Sequence, residues 1–167
     1  METKNSVIEV LKTAILIERR GKAFYAQAAR QSKNDATRQI FEMMAEEENA
    51  HIAFLEEQFR NYMANNEFTA GQSVPEEDDT EVENLIGQVK NEIDAAGFEA
   101  AAISAAIDFE NRAIELYSKR AAEASDENEK AAYKMLADWE KTHHHLLYRL
   151  NEDLKERIWN DNNFWPF

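Results

Sequence analysis

A carboxylate and an imidazole stand three residues apart in the segment Ala45-Glu46-Glu47-Glu48-Asn49-Ala50-His51. In a helix this spacing places Glu48 and His51 on the same face. Glutamate is abundant in this chain, so an isolated Glu-x-x-His is also typical of an ordinary solvated helix surface. The segment indicates a functional site only if other parts of the chain supply matching residues.

The composition predicts one all-α domain. The chain has 167 residues, of which 44% are apolar, and this is enough for one continuous core. Only four glycines and two prolines occur. The abundance of Ala, Glu, Leu, Lys and Arg favours helix over strand.

Charge and cysteine content exclude several classes of function. A formal net charge of -14 argues against nucleic acid and anionic membranes as partners, because binding to either begins with clustered Lys and Arg. The absence of cysteine excludes disulfides, zinc ribbons, thiolate nucleophiles and Cys-ligated iron centres. No basic leader with a long apolar run begins the chain, and no segment has the length of a membrane span, so we expect a cytoplasmic protein.

Apolar residues with a helical period predict two long helices in the first half of the chain. The first should cover about residues 7–29 and begin at a capping box formed by Ser6 and Glu9. The second should run from about residue 36 to the early sixties, with Asn34 or Asp35 as its N-cap.

The second half repeats this pattern after a long connection. Helices are predicted over about residues 98–123 and 127–158, the latter capped by Ser125 or Asp126. The domain then divides into a helix pair (6–63), a crossover (64–96), a second helix pair (97–158) and an aromatic tail (159–167). The crossover should contain a solvated acidic run, Glu76–Asp79, and a short helix over about 81–93. It would let the third long helix start at the same end as the second.

The aromatic tail ends in Phe164-Trp165-Pro166-Phe167. Aromatic residues at a chain end typically cover the end of a bundle or a subunit contact, and a homodimer is therefore one expectation.

One offset aligns the two halves of the chain. Glu110 lies 92 positions after Glu18, and three further pairs of polar residues share this separation. Apolar residues follow the same shift, for example Ile15 and Ile107. The chain is therefore interpreted as a duplicated helical hairpin. The other polar pairs are Tyr25 and Tyr117, Glu48 and Glu140, and His51 and His143.

Each half thus supplies one Glu from its first helix and one Glu-x-x-His from its second, so four carboxylates and two imidazoles can converge. This composition suits two first-row divalent metals and not a structural zinc tetrahedron. It matches the ligand pattern of ferritin-like di-iron and di-manganese bundles. Satisfied buried pairs, or an inactive site left from a metal-binding ancestor, are the alternatives. Four carboxylates brought together without cations would repel one another, which makes a metal-free core costly.

At these residues the chain resembles the rubrerythrin-like branch of the ferritin-like superfamily, from its first long helix to its last. The first half is similar in Ala14–Glu18, Phe24-Tyr25 and Ala45–His51, and the second in Ala106–Glu110, Tyr117 and Leu136–His143. The resemblance implies a ferritin-like four-helix bundle with a long crossover between its second and third helices.

The resemblance also implies a ligand set for two iron ions, although manganese or zinc fits the same ligands. Glu18 and His51 would be terminal ligands of one ion, Glu110 and His143 would be terminal ligands of the other, and Glu48 and Glu140 would bridge. Tyr25 and Tyr117 could donate hydrogen bonds to the bridging carboxylates, or could be ordinary core tyrosines. His144 and His145 should be surface or packing residues, although the triple His run could bind metal adventitiously.

Two departures from rubrerythrins matter. Where rubrerythrins carry an extra glutamate, three residues after the third-helix ligand, this chain has Ala113. That glutamate takes part in a redox-linked ligand exchange, so an unmodified peroxidase cycle is in doubt. The chain also lacks the cysteines of a rubredoxin domain, so electrons should come from another protein, such as a rubredoxin-like donor.

The resemblance favours an oxidoreductase that reduces hydrogen peroxide or dioxygen in oxidative-stress defence. An iron-binding or ferroxidase protein without peroxidase turnover is one alternative. A catalytically silent interaction module that uses the aromatic tail and the acidic linker is another.

Overall fold

The computed structural model describes residues 4–69, 79–92 and 97–161, and within these ranges every regular element is a helix. This confirms the all-α, ferritin-like bundle expected from the sequence. The acidic residues 76–78 and the tail residues 162–167 lie outside the described residues, so their predicted roles stay predictions. The five helices are α1 Lys4–Gln31, α2 Asp35–Asn65, α3 Asp79–Glu92, α4 Phe98–Glu123 and α5 Glu127–Asp161.

Helices α1 and α2 form the first hairpin. The Asn34 side chain accepts a hydrogen bond from the Thr37 N–H at 2.9 Å and caps α2, as predicted. Helix α2 ends at Asn65, and its C-cap Asn66 adopts the left-handed conformation with φ 59° and donates its N–H to the Tyr62 carbonyl oxygen. The predicted capping box at Ser6 is wrong, because α1 already includes Lys4 and places Ser6 inside the helix.

Helices α4 and α5 form the second hairpin. Helix α4 has the bounds predicted from its apolar stripe. Asp126 is the N-cap of α5, since its side chain accepts the Glu129 N–H at 2.7 Å. Helix α5 continues to Asp161, so the expected break after residue 158 is wrong and the first three residues of the predicted tail are helical.

Contacts at the helix ends orient the two hairpins. Near one end of the bundle, Glu99 at the start of α4 accepts the Lys33 N–H at 2.7 Å, just before α2 begins. At the other end, the Asn128 side chain near the start of α5 donates to the Phe68 carbonyl oxygen at 3.2 Å. Helices α2 and α4 therefore start at the same end. Helix α3 packs against α2 and α5 through Leu85, Ile86 and Val89.

The apolar core has two parts. One is built around Phe41, Ile103 and Leu147 and includes the buried face of α3. The other is built around Leu11 and Leu136 and includes residues from all four long helices. Along each long helix, buried polar residues lie between the positions that enter the two apolar parts. The fold therefore places a buried polar layer between two apolar layers.

Among the described residues, none of the helices combines the length and the apolar character that a membrane crossing requires.

Candidate metal centre

The six residues predicted as metal ligands lie together in the polar layer. Helices α1 and α4 contribute one glutamate each, and α2 and α5 contribute a Glu-x-x-His each. Each of the six is at most 1% exposed to solvent. Such burial of ionisable groups is costly unless they bind partners of opposite charge. The six are Glu18, Glu48, His51, Glu110, Glu140 and His143.

The six residues form two overlapping groups of four. In each group, one ligand atom from every residue lies within 4.8 Å of those from the other three. Glu48 and Glu140 belong to both groups, whereas the remaining members belong to one group each. The first group adds Glu18 and His51, and the second adds Glu110 and His143.

Both imidazoles turn the same nitrogen towards the carboxylates. The Nδ1 atom of His51 lies 2.9 Å from Glu140, 3.1 Å from Glu18 and 3.3 Å from Glu48. The Nδ1 atom of His143 lies 3.4 Å from Glu140 and 3.6 Å from Glu110. The two rings stack with their centroids 5.5 Å apart. Each group of four is therefore completed by one imidazole nitrogen.

The cluster contains more acceptors than donors. Among the described residues, neither oxygen of Glu48 or Glu140 has a hydrogen-bond partner, nor do Glu110 Oε2 and His143 Nδ1. Buried polar atoms normally have partners, and a group of buried acceptors without protein partners is suited to bind a cation. Carboxylate oxygens with imidazole nitrogens suit divalent iron, manganese or zinc. The residues therefore fit a pair of metal ions, and the cluster is compatible with di-iron binding.

The cluster strongly shifts the pKa values of Glu48, Glu110 and Glu140. Burial, together with the neighbouring Glu18, raises the pKa of Glu48 well above its usual range. Burial and the negative charge of Glu140 raise the pKa of Glu110 to about 8. Burial also acts on Glu140, but the contacts with His51 and His143 outweigh it and lower the pKa of that carboxyl.

The pKa values of both clustered histidines are raised, which favours their protonated forms. Burial alone would lower their pKa values, but the surrounding carboxylates outweigh it and raise the pKa of both His51 and His143. Without metal, the cluster therefore holds protons on some carboxyls and on its imidazoles. A metal ion must displace these protons to bind.

Two tyrosine hydroxyls donate to the cluster across the bundle. Tyr25 on α1 donates to Glu110 on α4, and Tyr117 on α4 donates to Glu18 on α1. The expectation that they donate to Glu48 and Glu140 is therefore wrong, because each hydroxyl reaches the single glutamate of the opposite hairpin. Burial and these carboxylates raise the pKa of both tyrosines, which keeps them protonated donors at neutral pH.

The outer nitrogens of the two histidines have different neighbours. His143 Nε2 contacts the carboxylate of Glu47, whose side chain is 20% exposed. The Nε2 of His51 has no hydrogen-bond partner among the described residues. The ring of Trp139 packs edge-on against this imidazole, with the two ring centroids 4.2 Å apart. Sequence reasoning assigned no role to Glu47 or Trp139. The two residues lie 92 positions apart, so the repeat makes their positions equivalent. The sequence could have pointed to them through this difference, a carboxylate in one half and an indole in the other.

Small residues occupy two positions that the repeat makes equivalent, Ala113 and Gly21. Ala113 is 1% exposed and packs in the apolar core, where rubrerythrins carry their extra glutamate. Its counterpart 92 positions earlier is Gly21, and a Cβ added there would lie 3.3 Å from Glu48 Oε1 and 2.7 Å from Phe109 Cε1. The absence of a side chain at Gly21 therefore leaves room for Phe109 beside the cluster.

The neighbouring histidines are not part of the cluster. His144 is half-buried and stacks on the ring of Tyr148, while His145 is exposed. Neither contributes to the two groups of potential ligands.

Comparisons with known proteins agree with this geometry. The family model described as Rubrerythrin matches residues 9–151, which include all six clustered residues and both tyrosines. No curated protein and no solved structure matches the chain. Because the family match covers most of the sequence, the chain belongs to the rubrerythrin family.

Proposed function

We propose that this chain is a non-haem di-iron protein that reduces hydrogen peroxide or dioxygen with electrons from an external donor. The observation that carries the proposal is the pair of four-residue groups that share Glu48 and Glu140 in a buried layer. The shared carboxylates would hold two metal ions close together, and such a pair would supply the redox chemistry for this reduction.

In this proposal each residue has one role. Glu18 and His51 would hold one metal, Glu110 and His143 would hold the other, and Glu48 and Glu140 would be shared by both. Iron would supply the electrons for O–O reduction by alternating between its ferrous and ferric states. The protein supplies four carboxylates that offset the metal charge, and a core that excludes bulk water.

The tyrosines and Glu47 would hold the ligands in position. Tyr117 and Tyr25 each fix one terminal glutamate through a hydroxyl hydrogen bond, and Glu47 contacts the outer nitrogen of His143. Groups that hydrogen-bond to ligands in this way fix the orientation of the ligands and tune the affinity for metal.

The 167 residues contain no cysteine, and we propose a protein of the rubredoxin type as the electron donor. We place the reaction in the cytoplasm, in defence against oxidative stress. Manganese or zinc could occupy the same ligands, because selectivity among these ions often follows availability.

Ala113 supports a second candidate, an iron-binding or ferroxidase protein without peroxidase turnover. The alanine makes the proposed ligand set symmetric and removes the carboxylate that changes ligation in rubrerythrins. A ferroxidase would oxidise ferrous iron with dioxygen without needing a donor protein.

Two experiments test the proposal. Anaerobic reconstitution with ferrous iron should yield about two metals per chain, and a clearly lower content would contradict a di-iron centre. Stopped-flow mixing of the ferrous protein with peroxide or dioxygen, with and without reduced rubredoxin, then separates the two candidates. Repeated peroxide turnover that depends on the donor supports the peroxidase, whereas a single oxidation that is faster with dioxygen supports the ferroxidase.

A further inference from the structure

A cavity of about 440 Å³ lies between α1 and α4, and its lining combines apolar and cationic side chains. Ile17 and Phe24 from α1 and Ala105 and Phe109 from α4 form the apolar part. The cationic part consists of Arg20 and Arg112. The volume is in the range of pockets that bind small molecules.

The internal repeat explains why two arginines meet there. Arg112 lies 92 positions after Arg20, and Phe109 lies 92 positions after Ile17. Helices α1 and α4 therefore present equivalent residues to the same cavity, one set from each hairpin. The result is a pocket that one exposed arginine from each of the two helices helps to line.

These two arginines differ from four others among the described residues in their partners. Among the described residues, neither Arg20 nor Arg112 forms an ion pair with a carboxylate; Arg112 uses its Nε to donate to the Asp108 carbonyl oxygen at 3.3 Å. Both arginines are exposed, so their guanidinium groups can reach an anion that enters from solvent. Four other arginines each pair with an acidic residue, namely Arg19, Arg38, Arg120 and Arg149.

We infer that this cavity binds a small amphipathic carboxylate, such as a medium-chain fatty acid. A guanidinium group matches a carboxylate with two parallel hydrogen bonds. An apolar chain of that ligand would cover Ile17, Phe24 and Phe109, which an inorganic anion would leave in contact with water. The carboxylate of the ligand thus matches the arginines of the lining, and its apolar chain matches the apolar residues.

The cavity is adjacent to the polar cluster but separate from it. Phe109 lines the cavity, and the edge of its ring reaches the empty side-chain position of Gly21, beyond which lies Glu48. Neither arginine belongs to the clustered residues. The inference therefore does not rest on the proposed metal centre, and metal-free and metal-loaded protein should both bind the ligand.

Isothermal titration calorimetry with octanoate tests the inference on the full chain. Acetate has the head group without the apolar chain, and octanamide has the apolar chain without the charge. We expect one octanoate to bind per chain, and each of the other two compounds to bind about tenfold more weakly or worse.

Three variants identify the site. Arg20→Gln and Arg112→Gln should each weaken octanoate binding by about tenfold and leave octanamide binding unchanged, because each removes a charged donor. Ala105→Trp should weaken both ligands by filling the cavity. Arg30→Gln is the matched control on α1, since Arg30 is exposed and hydrogen-bonds to Gln27, and it should bind octanoate like the unaltered protein.

Two results would overturn the inference. One is a titration of the unaltered protein with octanoate that does not saturate at one ligand per chain. The other is octanoate affinity that stays unchanged in both arginine variants while their circular dichroism and thermal unfolding match those of the unaltered protein.

Discussion

The hydroxyl of Tyr117 on α4 donates a hydrogen bond to Glu18 on α1, and so joins the two hairpins beside the polar cluster. Tyr25 makes the equivalent contact in the opposite direction, to Glu110. Each tyrosine is fully buried. The pair therefore holds the two single glutamates of the cluster from the opposite half of the chain.

Tyr117→Phe should destabilise the protein without removing metal. The variant leaves Glu18 Oε1 without its donor, and an unsatisfied buried group costs about 1–3 kcal/mol. Urea denaturation of the metal-free protein measures this loss. Tyr148→Phe is the control, because Tyr148 is 50% exposed. A loss of metal as large as that in Glu48→Ala would instead mean that the tyrosine is a ligand.

Removing a shared glutamate should affect both proposed metals, whereas removing a histidine should affect one. Glu48→Ala is expected to lower the iron content from about two per chain to well below one, and His143→Ala to about one. Elemental analysis after anaerobic reconstitution gives both values. Glu46→Ala is the matched control, since Glu46 is exposed on the same helix. Unchanged metal content in Glu48→Ala would refute the assignment of Glu48 as a ligand.

The contact between Glu47 and His143 should make the two metal positions unequal. A carboxylate that orients a ligating imidazole typically contributes about 10–100-fold in metal affinity. Glu47→Gln should therefore weaken the tighter of two binding steps in a titration with cobalt, while Trp139→Phe, on the His51 side, should leave that step unchanged. Two equal steps in the unaltered protein would contradict this expectation.

Gly21→Ala and Gly87→Ala should change stability in opposite directions. At Gly21 the added Cβ would lie 2.7 and 2.9 Å from the ring of Phe109, and such overpacking costs about 1–3 kcal/mol, which exceeds the gain in helix propensity. At Gly87 nothing lies within 4 Å, so alanine should stabilise α3 by about 0.5–1 kcal/mol. Thermal unfolding of both variants tests the contrast, and equal shifts would show that Phe109 moves without cost.

The metal-free protein should become less stable as the pH rises from about 5 to 8. The pKa of Glu110 is raised from 4.5 to about 8, so its contribution is fully present below pH 4.5 and is lost as the pH rises towards 8. The pKa values of His51 and His143 are also raised, so these residues likewise lower the stability as the pH rises above 6.5. Glu140, whose pKa is lowered, acts in the opposite sense but only below pH 4.5.

Urea denaturation at several pH values measures this dependence. Glu110→Gln should flatten it, because the variant cannot ionise at that position. Metal binding should also release protons and strengthen as the pH rises towards 8, which calorimetry in buffers of different ionisation enthalpy detects. Stability that rises over the same range would show that the cluster is ionised without metal.

The sequence predicted the six clustered residues because the 92-residue repeat tied them to one register. Spacing along a helix sets the height of a side chain in the bundle, and Glu18, Glu48 and His51 share that height with their counterparts. Helix α4 was predicted with its observed bounds from its apolar stripe, and the Asp126 cap marks where α5 begins. The start of α1 was not, because a Ser-x-x-Glu spacing also occurs inside helices.

Contacts across the bundle could not be predicted in this way. The tyrosines were placed at the correct height, but their acceptors depend on which helix faces which, and that follows from packing. The contact of Glu47 with His143 likewise joins α2 to α5. A repeat predicts which positions correspond, but it does not predict how a substitution in one half, such as Trp139 for Glu47, changes the site.

The two hairpins contribute three clustered residues each, so neither contains a complete group of four. A metal bound in either group would therefore be a cross-link between the first and second halves of the chain, positioned midway between the two apolar layers. Helix formation within each hairpin does not require this cross-link. Metal binding would then act mainly on the association of the two hairpins, and the metal-free chain would keep its helices while its halves separate more readily.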